Sequence, residues 1–477
     1  MLPWRLGRCW RGRTASTLPT PARNSYSTPR SSSHSRRYIA TASFVGASSL
    51  GWFLSSHDDV PSLESTSAEP LLPETGLSKD EVTRIISRDA YSFLVKDTPG
   101  VSRYDGNQLP SNSVCEDRFI HGTFSPYNDG QKWMAWAVFD GHAGWQTADL
   151  LQKQLLTFVR HSLNQDKARS SENDSSDASV PHAIAKGFLA LDDSIVKTAL
   201  ETSQSKQSLA EKVKRLLPAY AGSCALLTLY DSTTSILHVA CTGDSRAVLG
   251  QQRPDGKWEA IPLSVDQTGY NEEEIARLSA EHPGENEMIK NGRVLGLAVS
   301  RAFGDTRWKW NLEFQKEMKN RFGAPSPLTP KYDVRTPPYL TAEPVVTSTK
   351  IDPSKPSFLI MASDGIWDML SNKQAVDLVT KWIESSAGQK RKPELEPAHE
   401  AFDLGRFENG VDCKFEDERA TVQDDNAAVH LVRNSLGGNH HEMVAGRLAF
   451  GSPFSRNQRD DMTVQVVFFN VPGLEKR

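Results

Sequence analysis

The chain has 477 residues, of which 38% are hydrophobic and 24% are charged, and its formal net charge is −4. This balance is typical of a globular protein, and it excludes a collagen-like, coiled-coil or wholly disordered chain. The five cysteines are scattered and include no Cys-x-x-Cys pair. The sequence therefore predicts neither a disulfide framework nor a zinc ribbon.

The beginning of the chain is rich in arginine. Residues 1–37 contain eight arginines, many serines and threonines, and no aspartate or glutamate. This composition is typical of a mitochondrial transit peptide, so we expect a mitochondrial protein; a disordered basic tail is the alternative. Without these eight charges the formal net charge changes from −4 to −12. A chain that acidic is a poor electrostatic match for nucleic acid, and we expect no nucleic-acid partner.

An uncharged segment follows at residues 38–54. Its 17 residues are at the lower limit for crossing a bilayer, so the segment is a candidate single-pass anchor in the inner membrane. If the anchor is retained, the arginines lie on the matrix side and the rest of the chain faces the intermembrane space. If the segment belongs to a longer, cleaved presequence, the protein is soluble in the matrix. The sequence leaves both interpretations open.

A Pro-, Ser- and Glu-rich stretch at residues 55–77 is predicted to be a linker. Directly after it, Ser78 and Glu81 have the spacing of a capping box that opens a short helix. From there we predict a single folded domain over residues 78–477. Three polar stretches within it are predicted to be surface insertions, at residues 164–179, 323–338 and about 385–425.

Short apolar runs in this domain predict β-strands, at residues 134–139, 224–230, 236–241, 358–362 and 462–469. Two other stretches, around residues 184–195 and 376–383, have apolar side chains one helical turn apart and predict helices. The strands cluster as neighbouring pairs without a helix between each. This order favours two antiparallel sheets over a doubly wound parallel sheet, so we expect an α+β fold.

Carboxylates stand at the ends of these predicted strands. Asp140, Asp244 and Asp364 each follow a strand, Asp460 precedes the last strand, and Glu116 precedes a further apolar stretch. A single Asp-Gly pair is most often a turn, but several converging carboxylates repel one another unless a cation compensates them. Oxygen ligands without a His or Cys cluster suit Mg²⁺ or Mn²⁺. Such a site can activate water and hold a phosphoryl group for in-line attack.

Six spaced motifs contain these residues. They are residues 116–117 (ED), 140–144 (DGHAG), 242–246 (TGDSR), 301–305 (RAFGD), 363–368 (SDGIWD) and 459–463 (RDDMT). In this order, over roughly residues 80–470, they resemble the metal-dependent serine/threonine protein phosphatases of the PPM, or type 2C, family. The resemblance implies a central β-sandwich of two antiparallel sheets flanked by helices, with two Mg²⁺ or Mn²⁺ ions at one end.

Further segments resemble one branch of that family, the mitochondrial pyruvate dehydrogenase phosphatases. They are residues 107–112, 308–310, 336–344 and 430–434. This resemblance implies hydrolysis of phosphoserine or phosphothreonine on the E1 component of the pyruvate dehydrogenase complex, without a covalent phosphoenzyme. Two alternatives remain. One is a phosphatase of other mitochondrial phosphoproteins, and the other is a catalytically silent scaffold, although such a protein should have lost ligand carboxylates that are retained here.

The resemblance also implies which residues hold the metal ions. Asp140 would bridge both ions, and Gly141 would contribute its backbone carbonyl. Glu116 would be a metal ligand on the side of the first strand. Asp364 and Asp460 would complete the ligands of the second ion.

Other positions are assigned by the same resemblance. His142 would be the general acid that protonates the leaving serine or threonine oxygen, a role that suits an imidazole at neutral pH; a locally bonded turn histidine is the alternative. Asp244 and Asp368 resemble positions that bind a third, weaker ion in some family members. Asp461 stands where many relatives carry asparagine, and it is given no ligand role.

The sequence departs from the family pattern at Asn112. Many members carry an arginine there, which clamps the substrate phosphate bidentately. The pyruvate dehydrogenase phosphatase branch is similar to this chain at that position, so the departure points to the branch rather than to a loss of activity. The clamp itself is left unassigned, with candidates at Arg118, Arg246, Arg293 and Arg301.

Overall fold

The computed structural model describes residues 76–169, 179–386 and 414–474. The predicted transit-like segment and the candidate anchor at residues 38–54 lie outside the described residues, as does nearly all of the predicted linker. Within the three described ranges, no helix is both long and apolar enough to cross a membrane.

The described part of the chain forms strands and helices in the following order. The strands are β1 (Tyr91–Leu94), β2 (Val101–Leu109), β3 (Arg118–Phe124), β4 (Trp133–Phe139), β5 (Gly141–His142), β6 (Gly222–Ser223), β7 (Ala225–Asp231), β8 (Ile236–Thr242), β9 (Arg246–Gln252), β10 (Trp258–Pro262), β11 (Ile289–Lys290), β12 (Arg293–Val294), β13 (Phe303–Gly304), β14 (Val345–Lys350), β15 (Ser357–Ala362) and β16 (Met462–Phe469). The helices are α1 (Lys79–Ile86), α2 (Gln146–Arg169), α3 (Ser179–Gln204), α4 (Leu209–Tyr220), α5 (Glu272–Glu281), α6 (Leu312–Phe322), α7 (Asp364–Trp367), α8 (Asn372–Ser386), α9 (Ala427–Ser435) and α10 (His441–Ala449).

Two larger sheets form the centre of this structure. One has the strand order β1-β2-β16-β15-β9-β10 and the other the order β14-β8-β7-β4-β3. Neighbouring strands in both sheets are antiparallel. The predicted α+β fold with two antiparallel sheets is confirmed.

The two sheets pack face to face around an apolar core. Trp136 and Leu226 of one sheet and Leu359, Met361 and Val467 of the other are fully buried in this cluster. The opposite faces are also covered, by α2 and α3 on one side and by α8 and α9 on the other. Because both faces of the central strands are buried, β4 and β15 are continuous apolar runs rather than alternating ones.

The predicted start of the domain and its predicted insertions can be compared with the structure. Ser78 is the N-cap of α1, where its Oγ accepts the Glu81 backbone N–H and the Glu81 carboxylate accepts the Ser78 N–H, so the capping box is confirmed. The first predicted insertion is partly helical, since α2 continues to Arg169 and α3 begins at Ser179. The last predicted insertion lies largely outside the described residues.

Antiparallel pairing brings several chain turns to one edge of the sandwich. The end of β4 at Phe139 pairs with the start of β3 at Arg118. The end of β15 at Ala362 lies between Arg246, at the start of β9, and Val464, near the start of β16. The residues that directly follow β4, β8 and β15 therefore meet those that directly precede β3 and β16.

Candidate metal centre

Three aspartates from three strand ends converge at this edge. Asp140 follows β4, Asp244 follows β8 by one residue, and Asp364 is the first residue of α7 after β15. Each offers a carboxylate oxygen, and these oxygens lie within 4.8 Å of one another. The structure therefore brings together two of the predicted ligands, Asp140 and Asp364, with Asp244, which the sequence assigned to a third ion.

The protonation of this triad reflects its surroundings. Burial, followed by the charges of Asp364, Asp117 and Asp244, raises the pKa of Asp140 well above its usual value. Burial and the charge of Asp364 raise the pKa of Asp244 to about 7. Such a group of partly buried like charges is stable in its ionised form only beside a cation, and its oxygen-only donors fit Mg²⁺ or Mn²⁺. The residues present thus fit the metal ions that the sequence predicted.

Gly141 lies against the loop that carries Glu116. A Cβ atom on Gly141 would lie 2.3 Å from the carbonyl oxygen of Glu116, so only glycine permits this approach. The Glu116 carboxylate is half-buried and accepts a hydrogen bond from Nδ2 of Asn112, at 3.2 Å. Burial is the main reason why the pKa of Glu116 is raised. Glu116 thus lies beside the aspartate triad without being one of its three members.

Asp461 organises that loop, a role that the sequence did not predict. Its Oδ1 accepts backbone N–H groups of Ser111 and Asn112 at 2.5 and 2.9 Å, and its Oδ2 accepts the Glu116 N–H at 2.8 Å. Burial raises the pKa of this carboxyl, but the three backbone donors outweigh burial and hold the pKa below its usual value. Asp461 therefore fixes the backbone of residues 111–116 as an ionised carboxylate.

A second unpredicted residue, Asp117, links three of the motifs. Its buried carboxylate accepts hydrogen bonds from Ser363 Oγ at 2.9 Å and from Thr463 Oγ1 at 2.7 Å. Burial and the charge of Asp461 raise the pKa of Asp117 to about 7. Since Ser363 directly precedes Asp364, this contact couples the start of β3 to the residue that enters the triad.

Asp460 and Asp368 lie at the periphery of the triad. Asp460 forms an ion pair with Arg456 and also accepts the Asp461 N–H at 2.6 Å. Asp368 caps α7, and burial, followed by the charges of Asp244 and Asp266, raises its pKa. Asp460, predicted as a ligand of the second ion, and Asp368, predicted for the third ion, therefore do not belong to the three-oxygen cluster.

His142 forms a pair with Asp305, a residue to which the sequence assigned no role. The His142 Nε2 lies 2.5 Å from the Asp305 Oδ2, and Asp305 is only 2% exposed. Burial lowers the pKa of His142, but the Asp305 carboxylate and the charges of Asp244 and Glu116 together outweigh burial, so that the pKa is raised above its usual value. The pair lies across a small sheet of β13, β6 and β5, in which Gly222 is paired with both His142 and Gly304.

The arginines predicted as phosphate ligands are mostly engaged elsewhere. Arg118 donates to the carbonyls of Cys115 and Asp117, Arg246 binds Asp266 through two nitrogens, and Arg301 binds the buried Glu274. Arg293 is exposed and donates to the carbonyl of Gly296. Each of these four side chains therefore donates to a carboxylate or a backbone carbonyl of the chain itself.

This arrangement can support hydrolysis of a phosphate ester. A partly buried carboxylate cluster can hold divalent cations, and an imidazole oriented by a carboxylate can transfer a proton. The loop that carries Glu116 lies against the backbone of Gly141. Gly141 is the residue between Asp140 of the triad and His142, the candidate general acid. The two kinds of chemistry are therefore placed side by side.

Comparisons with known proteins agree with this geometry. The sequence profile of the family described as protein phosphatase 2C matches residues 103–399. A protein phosphatase 2C homolog of Schizosaccharomyces pombe is 41% identical over 375 residues, covering 78% of this chain and 81% of that protein.

Two further relatives carry a more specific name. The mitochondrial pyruvate dehydrogenase (acetyl-transferring) phosphatase 1 of Saccharomyces cerevisiae is 36% identical and covers 82% of this chain and 72% of that protein. The protein of the same name from Rattus norvegicus is 30% identical and covers 83% of each chain. The chain belongs to the protein phosphatase 2C family and is a protein serine/threonine phosphatase.

Proposed function

We propose that this phosphatase acts in mitochondria on the phosphorylated E1 component of the pyruvate dehydrogenase complex. Support comes from the names of its yeast and rat relatives, together with the transit-like composition of residues 1–37. The observation that carries the hydrolytic chemistry is the partly buried cluster of Asp140, Asp244 and Asp364, whose oxygens lie within 4.8 Å of one another.

The metal ions are assigned to the residues at this edge of the sandwich. Asp140, the Gly141 carbonyl, Glu116, Asp364 and Asp460 would hold two Mg²⁺ or Mn²⁺ ions. Bound there, the ions would lower the pKa of water and offset the charge of the phosphoryl group.

A third and weaker ion is assigned to Asp244 and Asp368. After burial, the charge of Asp244 is the main cause that raises the pKa of Asp368. Asp244 is itself in an acidic region, since the charge of Asp364 adds to burial in raising its pKa. The proximity of Asp244 and Asp368 supports the assignment. The convergence of Asp244 with Asp140 and Asp364 also supports a third site beside the other two.

The residues of the chain itself would handle the proton. Water attacks phosphorus while the bond between phosphorus and the serine or threonine oxygen breaks, and His142 protonates that leaving oxygen. Because Asp305 engages Nε2 of His142, Nδ1 is the ring nitrogen left to give the proton. The products are a free hydroxyl side chain and inorganic phosphate, and no covalent phosphoenzyme is formed.

A matched pair of proteins tests this function. Phosphate release from phosphorylated E1 is measured with Mg²⁺, with Mn²⁺ and with a chelator, for the wild type and for Asp364→Asn. We expect metal-dependent release that collapses in the variant, whereas Asp129→Asn, which alters an exposed carboxylate paired with Lys167, leaves release unchanged. Turnover of other phosphoproteins but not of E1 would contradict the proposal that E1 is the substrate. No turnover of any phosphoprotein by a folded protein would favour the alternative of a catalytically silent scaffold.

The position of the domain relative to the inner membrane is a separate proposal. We propose a matrix location, because the proposed substrate is the one named for the yeast and rat relatives of this mitochondrial branch. Retention of residues 38–54 as an anchor would instead direct the domain to the intermembrane space. Protease treatment of mitoplasts distinguishes the two, since only a matrix domain resists digestion.

A further inference from the structure

The phosphate-binding arginine of the family is missing at position 112, and Asn112 does not replace it. Its Nδ2 donates to the carboxylates of Glu116 and Asp461, both at 3.2 Å. The amide is thus used to hold two neighbouring carboxylates, and it brings no positive charge to the site. A bidentate contact with the substrate phosphate would therefore have to come from a guanidinium in another part of the chain.

One segment is tied to the same loop by several hydrogen bonds. Ser455 Oγ donates to the carbonyl of Ser111 at 2.5 Å, and Arg459 Nη1 donates to the carbonyl of Pro110 at 2.6 Å. Asp461 then accepts the backbone N–H groups described above. The short 3-10 helix Phe454–Asn457 is therefore fixed directly beside the loop that carries residue 112.

Arg456 projects from this short helix towards the carboxylates of the centre. Its Nη1 forms an ion pair with Asp460. Its positive charge also acts on Glu116 and Asp364, where it opposes the rise in pKa that burial produces. The side chain is 42% exposed, so its guanidinium faces both the centre and the solvent from which a substrate arrives.

We propose that Arg456 binds the phosphate group of the substrate, in place of the arginine that other family members carry at the position of Asn112. The proposal rests on the proposed function, because it assigns a substrate ligand within the same site. Once Asp460 holds a cation, its charge is compensated there, and the guanidinium becomes available for a bidentate contact with two phosphate oxygens.

Inorganic phosphate is the probe for this role, because it is the product and needs no peptide contacts. Its dissociation constant is measured by calorimetry with the Mn²⁺-loaded protein, together with KM and kcat for a phosphoserine protein. The variants are Arg456→Ala and Arg456→Lys, and the control is Arg321→Ala. Arg321 is a matched control because it also forms an exposed pair with a carboxylate one helical turn away, Glu317, outside the site.

We expect Arg456→Ala to weaken phosphate binding and to raise KM by about tenfold to a hundredfold, as expected for loss of a charged bidentate contact. Arg456→Lys should lie between Arg456→Ala and the wild type, since a lysine keeps the charge but not the fork. Arg321→Ala should leave both constants unchanged.

The opposite result is also defined. If Arg456 only neutralises Asp460, Arg456→Ala will bind Mn²⁺ more tightly and will bind phosphate as the wild type does, which overturns the proposal. Thermal unfolding of Arg456→Ala checks whether the variant is folded. If it is not, phosphate binding by Arg456→Lys tests the proposal instead. Failure of the proposed function is distinguishable, because the wild type itself would then show no metal-dependent phosphate release.

Discussion

The Nε2 atom of His142 lies 2.5 Å from Oδ2 of the buried Asp305, and Gly222 leaves the space in which the two side chains meet. A Cβ atom at residue 222 would lie 2.2 Å from the imidazole nitrogen and 2.3 Å from the carboxylate oxygen. Asp305 itself has a left-handed backbone, with φ 45°, which turns its side chain back towards β5. Three residues from three short strands or turns therefore determine how His142 is oriented.

Replacement of Asp305 by asparagine should impair proton transfer without removing the imidazole. The amide keeps the shape of the carboxylate but cannot stabilise the same protonated ring, so we expect kcat on a phosphoserine protein to fall by at least about tenfold. Hydrolysis of p-nitrophenyl phosphate, whose leaving group needs little protonation, should change by less than about threefold. Steady-state kinetics with both substrates makes the comparison. An equal loss on both substrates would show that Asp305 does not act through His142.

Gly222→Ala should produce a similar defect by a different route. The added methyl group would occupy the space between His142 and Asp305, so the hydrogen bond would have to lengthen or break. We expect the double variant Gly222→Ala, Asp305→Asn to be no slower than the slower single variant, because both changes disable the same pair. Gly446→Ala is a control for glycine replacement, since a Cβ atom there meets nothing within 4 Å. Multiplicative losses in the double-mutant cycle would contradict a shared effect.

Asp140→Asn should uncouple thermal stability from metal ions. In the wild type, saturating Mn²⁺ binds only the folded state and should raise Tm, whereas the metal-free protein suffers the repulsion among Asp140, Asp244 and Asp364. The variant has one charge fewer, so we expect its metal-free Tm to be higher and its response to Mn²⁺ to be lost.

Differential scanning calorimetry with Mn²⁺ and with chelator measures both effects. Asp129→Asn, an exposed carboxylate bound to Lys167, should retain the full response to Mn²⁺. A normal increase of Tm in Asp140→Asn would show that Asp140 is not a metal ligand.

The sequence predicted the larger elements because each has a long local signal. Apolar runs located β4, β15 and β16 to within one residue, and the runs in β4 and β15 are continuous because strands buried on both faces need no polar alternation. The carboxylates could be identified because they lie at the ends of these predicted strands, and the structure brings Asp140 and Asp364 together. The metal-ligand roles, the general-acid role of His142 and the domain boundaries stay predictions.

What the sequence could not show depends on contacts between distant residues. The strands β5, β6 and β13 have two residues each, too few for any hydrophobic period. The pairing of His142 with Asp305 spans 163 residues, and it is fixed by tertiary packing rather than by local propensity. The RAFGD motif contained Asp305 and was the available signal, but nothing in its spacing identified the partner.

Asp461→Asn should loosen the loop that carries Glu116. Asparagine has a single oxygen, so its Nδ2 would meet the Glu116 N–H or the pair of N–H groups from Ser111 and Asn112, and two donors would face each other. We expect a loss of about 2 kcal/mol in the free energy of unfolding, typical of an unsatisfied buried donor. The Mn²⁺ concentration for half-maximal activity should rise as well.

Urea unfolding in chelator and a Mn²⁺ titration of activity test the two effects. Asp352→Asn is the matched control, because Asp352 also accepts a backbone N–H, from Ser354, but in a surface turn. If Asp461→Asn has the stability and the metal requirement of the wild type, the loop is held by other contacts.

Glu274 makes the stability of the fold depend on pH, independently of the metal centre. Its carboxylate is 3% exposed and binds Arg301 at 2.6 Å, Arg277 at 2.8 Å and Ser300 Oγ at 2.7 Å. Burial raises the pKa of Glu274, but the hydrogen bonds from Arg301 and the other donors outweigh burial and lower the pKa to about 2. A carboxyl with a lowered pKa in the folded state stabilises the fold while it is ionised.

The direction of the pH effect follows from these values. The stabilisation is complete above the ordinary pKa of 4.5 and is lost as the pH falls towards about 2, where the folded carboxylate takes up a proton. The shift corresponds to about 3 kcal/mol at pH 7. Glu274→Gln should therefore lower the free energy of unfolding by about that amount at pH 7, and the difference from the wild type should narrow below pH 4.5.

Urea unfolding at pH 7, 5 and 3.5 measures this difference. Glu281→Gln is the control, because Glu281 binds the same Arg277 at 2.9 Å but is 48% exposed, and it should change stability by less than about 0.5 kcal/mol at every pH. A difference between Glu274→Gln and the wild type that stays constant from pH 7 to pH 3.5 would mean that the network stabilises the fold through packing and not through the charge of Glu274.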